Sequence, residues 1–151
     1  MRMIVLQGVL LFAGLSLAGC NRAEPPVPVH PVSGKVFYDG KPAEGVRVFL
    51  QPISAPAVPK IPCNPHGVTQ ADGSFTLTTY VEGDGAAEGS YKVTLFWPAV
   101  QMDDEEESDV DRLHGWHDSV NSRLSIDVTA GTNQLAPFRL PPRNSPPDAS
   151  E

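Results

Sequence analysis

A chain of 151 residues with 40% hydrophobic residues and a formal charge of −7 has room for one domain and a core to hold it. Eighteen acids against eleven basic residues leave no basic cluster of the kind that neutralises phosphates, which argues against nucleic acid as a partner. Two cysteines are too few for a disulfide framework.

The first segment reads as a targeting signal. Arg2 carries the only early charge, and Ile4 to Ala18 is an uncharged, mostly apolar run broken by Gln7, Ser16 and two glycines. That length suits a signal-peptide core but falls short of the roughly 20 residues of a spanning helix. The run ends in Leu17-Ala18-Gly19-Cys20, which resembles the lipobox of bacterial lipoproteins at every position. The resemblance implies cleavage before Cys20, a thioether between its thiol and a diacylglycerol, and acylation of the new amine. Residues 1–19 would then be a lipoprotein signal peptide. The lipid on Cys20 would be the one covalent group, no other cofactor being expected, and the chain would be fixed to a membrane in the cell envelope, on a periplasmic or surface face. Several acyl chains hold a protein firmly where a single one does not. Asn21 stands where an aspartate would signal inner-membrane retention, so the expectation leans to the outer membrane. After lipidation only Cys63 keeps a free thiol, which leaves an intermolecular disulfide as its one oxidative option.

Residues 20–31 contain four prolines, which fix φ and remove donors, so they predict an extended spacer. Beyond it the chain shows alternation punctuated by turn residues and almost no helical period, the pattern of an all-β domain over 32–140. Val32 to Tyr38 is the first predicted strand, and Asp39-Gly40-Lys41-Pro42 the turn after it. Val46, Val48 and Leu50 give the next strand one aliphatic face. The proline-rich stretch from Pro52 to Pro65 cannot be a paired central strand and predicts a loop. Gly67–Gln70 and Ser74–Tyr80 are expected to pair as a hairpin across Ala71-Asp72-Gly73, with Phe75, Leu77 and Thr79 on one face. Glu82 to Gly89 reads as a polar connection. Tyr91, Val93 and Leu95 form the inner face of a strand ending at Pro98. Leu124, Ile126 and Val128 alternate again, and Ala130-Gly131-Thr132-Asn133 turns the chain into Leu135–Leu140. Residues 141–151 predict a disordered tail. About seven strands with single apolar faces require a two-sheet sandwich. Its predicted core is Val32, Val36, Val48, Leu50, Phe75, Leu77, Tyr91, Val93, Leu95, Ile126, Val128 and Phe138.

Three stretches together resemble carboxypeptidase regulatory-like domains. They are Val32-Ser33-Gly34-Lys35-Val36 with Asp39-Gly40-Lys41-Pro42 and Gly45-Val46-Arg47-Val48, then Thr69-Gln70-Ala71-Asp72-Gly73-Ser74-Phe75, then Gly89-Ser90-Tyr91-Lys92-Val93-Thr94-Leu95. The resemblance covers about residues 31–140 and implies a transthyretin-like (prealbumin-like), Ig-like sandwich, a module found in single-domain envelope lipoproteins. It carries no catalytic residues, and a shared fold does not bring a function with it. The purine-pathway hydrolases of transthyretin type end in Tyr-Arg-Gly-Ser, which this chain lacks.

The long segment 98–122 is the place to look for chemistry, because loops of that length are usually functional or disordered. Asp103, Asp104, Asp109 and Asp111 offer the hard oxygens that suit calcium, and His114 and His117 offer imidazoles for zinc or copper. A like-charge run is more often a solvated loop, and Trp116 between the histidines reads as a packing residue. Cys63 and His66 could form a nucleophile–base pair but have no third, orienting group in view. Strand parity turns Phe37, Phe49 and Phe96 outward, a candidate carbohydrate face. The leading expectation is a non-enzymatic, lipid-anchored envelope module that meets a protein or a glycan. The alternative is a β-sandwich that binds an ion, ligand or carbohydrate through the 98–122 loop or an outer sheet face.

Overall fold

The computed structural model describes residues 27–53, 64–99 and 109–143. The leader, Leu17, Ala18, Gly19 and Cys20, Cys63 of the proline-rich loop, Asp103 and Asp104 of the acidic run, and most of the predicted tail lie outside the described residues.

The described chain is all-β. Its strands are β1 (Val29–His30), β2 (Val32–Tyr38), β3 (Lys41–Pro42), β4 (Arg47–Pro52), β5 (His66–Val68) and β6 (Ser74–Thr76). They continue with β7 (Ala86–Ala87), β8 (Gly89–Phe96), β9 (Ser125–Val128), β10 (Asn133–Gln134) and β11 (Phe138–Leu140). One sheet runs β5-β4-β8-β9, all antiparallel. The other is built on β2, which pairs antiparallel with β3 and β6 along one edge and parallel with β10 and β11 along the other. β1 and β7 form a separate small ladder.

The alternation explains the layers. On β2, Val32, Gly34 and Val36 are buried. Opposite them, Val46 just before β4 and Val48 and Leu50 within it fill the space against Tyr91, Val93 and Leu95 of β8. Phe75 and Leu77 cross between the layers, and Phe75 stacks on Phe138 at 6.3 Å. Gly34 is small because Phe75 covers it: an added Cβ would stand 2.7 Å from that ring. Every predicted core residue is buried except Ile126, which packs against the core half-buried. Ala43, Val46, Ala86, Trp97, Leu113 and Leu140 join it.

Asp39 and Gly40 form the two-residue turn between β2 and β3 with φ of 50° and 73°, the backbone that matches the twist of a tight hairpin. The predicted hairpin across Ala71-Asp72-Gly73 is corrected. Its turn forms, with Gln70 N–H donating to Ser74 O at 2.8 Å and Gly73 N–H to Gln70 O at 2.8 Å. Its arms then diverge: β5 pairs with β4 and β6 with β2, so the hairpin spans both sheets, and the arms rejoin only at the His66–Thr78 bridge. A sandwich needs its two inner faces filled from both layers, and a splayed hairpin supplies one arm to each.

The polar connection 82–89 is also revised, since it contains β7, whose two alanines are buried. β7 holds β1 inside the stretch read as spacer, in register Val29↔Ala87 and His30↔Ala86. Gly85 permits this. It sits at φ +95°, and a Cβ there would lie 1.7 Å from His30 O. Asp84 braces the loop by accepting N–H groups of Thr79, Tyr80 and Val81 at 2.7–2.9 Å. Burial pushes its carboxyl up, and those three donors outweigh it and hold it below the usual carboxylate range.

The strands give the sandwich two distinct poles. β1, the starts of β2 and β8 and the 129–132 turn meet at the entry pole, where Gly131 N–H reaches His30 Nδ1 at 3.2 Å. The ends of β2, β8 and β11 meet at the opposite, far pole, where Tyr38 packs edge-on against Trp97 at 5.3 Å.

Candidate functional site

The sequence motifs prove to be joints. Thr69 is 3% exposed; its hydroxyl donates to Ala43 O at 2.6 Å and accepts from Val46 N–H at 2.8 Å, fastening the start of β4. Asp72 accepts from Ser74 N–H and pairs with Lys35 at 2.9 Å; the Ser74 side chain first, then Lys35 and the Ser74 N–H, hold its carboxyl well below the usual range. Gly73, at φ +77°, lets Val36 N–H reach its carbonyl at 2.9 Å. Tyr91 anchors its ring through its hydroxyl, which donates to Ala87 O at 2.9 Å.

The described half of the 98–122 loop is a folded series of turns at the far pole. Ala99 N–H donates to Val110 O and Arg112 N–H to Trp97 O, continuing β8 past Pro98. Asp111 organises the turn: Oδ1 accepts N–H from Trp97 and Leu113, both at 3.0 Å, and Oδ2 accepts from Gly115 at 2.9 Å. Leu113 thereby drops into the core at 4% exposure. Asp118 gathers Val120 and Asn121 N–H in the same way in the following turn. Ser122 closes the segment, its hydroxyl donating to Val93 O.

Among the described residues, the candidate ligands Asp109, Asp111, His114 and His117 do not gather into one site; Asp103 and Asp104 lie outside the described residues. His114 is exposed at φ 53°, His117 is half-buried and Asp109 is exposed. Among the described residues no three His, Cys, Asp or Glu side chains gather as a metal ion needs. The carboxylate of Asp111 is occupied by three backbone donors. The three outward phenylalanines do not form one row either. Phe37 lies on the β2 sheet under Arg139 at 5.1 Å, whereas Phe49 and Phe96 lie on the other sheet, Phe96 under Arg47 at 5.8 Å. Parity assigns a residue's side of its own sheet, not which sheet that is.

What the far pole does assemble is aromatic and cationic. Arg112 lies 3.6 Å above the Trp97 ring, whose Nε1–H donates to Glu44 O at 2.8 Å. Arg143, just past β11, lies 3.6 Å above the Trp116 ring. Tyr38, Leu113, Trp116, His117, Pro141 and Arg143 line a shallow recess of about 10 Å³, room for a single water and far below the roughly 300–1,000 Å³ of pockets that enclose small molecules. His117 Nδ1 is buried there with no hydrogen-bond partner. Burial pushes this imidazole below its ordinary pKa, Arg143 adds to the effect, and Asp111 opposes it.

No family model matches the chain, and no curated protein matches it. Among solved structures, a 9R-lipoxygenase from Cyanothece PCC8801 is similar at 13% identity with a TM-score of 0.43, over 78% of this chain and 17% of the lipoxygenase. The chain thus spans about a sixth of that enzyme's length, and likeness at this level supports no inference about activity. The recess has no signature in the sequence, because Tyr38, His117 and Arg143 come from three separate segments. The Trp116-His117 pair is its one visible trace there.

Proposed function

We propose that the chain is a non-enzymatic, lipid-anchored module of the cell envelope, its sandwich serving protein interaction or envelope architecture. The observation that carries this reading is Leu17-Ala18-Gly19-Cys20 at the end of an apolar run too short to span a bilayer. The resemblance of residues 31–140 to carboxypeptidase regulatory-like domains supports it, since such modules occur as envelope lipoproteins. The chemistry of the described residues is consistent with it too: Thr69, Asp72, Asp84, Asp111 and Asp118 each spend their polar atoms on turns.

Spacing adds a geometric expectation. Residues 21–28 separate Cys20 from β1, and as extended polyproline II they reach about 25 Å. An acylated Cys20 would hold the entry pole near the headgroups and turn the far pole outward. The outer membrane is the favoured site, and a protein or glycan beyond it the favoured partner. Metabolic labelling with a clickable fatty acid tests the anchor. The native chain takes label and fractionates with membranes, while Cys20→Ala does neither; equal labelling of both refutes the proposal.

A further inference from the structure

We draw no further inference here: the strongest candidate, the outer edge of β9, where Ser125 and Asp127 turn their backbone groups away from β8, carries nothing because nothing in the structure shows what covers it.

Discussion

Gly85→Ala tests how firmly the first strand is fastened to the sandwich. The new Cβ would lie 1.7 Å from His30 O, 2.4 Å from His30 C and 2.8 Å from Pro31 Cα. All three are backbone atoms, so no rotamer change relieves the clash. At φ +95° an alanine also carries about 1–2 kcal/mol of backbone strain. The chain escapes the clash by releasing β1, which caps the cost at what β1 contributes. That is a short ladder with β7 and the Gly131–His30 bond, about 2–3 kcal/mol at the net worth of ordinary hydrogen bonds. The exposed His30–Glu88 pair adds little. Together the loss is about 3–5 kcal/mol, a large share of the stability of a small domain. Urea denaturation followed by tryptophan fluorescence gives the total, and amide exchange locates it. The Ala86 and Ala87 amides should lose protection while Val93 keeps its own. A loss below about 1 kcal/mol with Ala86 and Ala87 still protected would refute the reasoning.

Asp111→Ala removes the acceptor of three backbone N–H groups and should cost about 2–3 kcal/mol, allowing for water at this half-buried site; chemical denaturation gives the value, and Asp111→Asn should lose less because it keeps one carbonyl oxygen. His117, whose pKa burial lowers, binds a proton more readily in the unfolded chain than in the folded one. Stability should therefore be fully present above about pH 6.5 and fall as pH drops from there toward the folded-state value. Urea midpoints measured from pH 7.5 to 5 give this slope, and it should flatten in His117→Gln.

The faces of the strands are legible in the sequence, and their neighbours are not. Val32–Tyr38 can be bounded because Asp39-Gly40 ends it, and the alternation in β4 and β8 places Val48, Leu50, Tyr91, Val93 and Leu95 inward as found. Nothing in a two-residue repeat says which strand lies alongside. The two arms around Asp72-Gly73 therefore read as partners although each joins a different sheet, and the parallel approach of β10 and β11 to β2 leaves no local trace. Leu113 is hidden in a polar-looking loop, because its burial depends on Asp111 gathering N–H groups from Trp97 and Gly115. The same carboxylate looks like a metal ligand by residue type alone. Residue type states what a group is able to do, and only the neighbours decide what it does.

The parallel pairing of β2 with β11 has a mechanical side. Tension applied between the amino-terminal side of β2 and the carboxy-terminal side of β11 would slide the two strands lengthwise past each other. The three residue pairs from Val36↔Phe138 to Tyr38↔Leu140 would share that load at once, and the two pairs at β10 with them, instead of opening one after another like a zipper. Pulled across this pair of strands, the sandwich resists in shear.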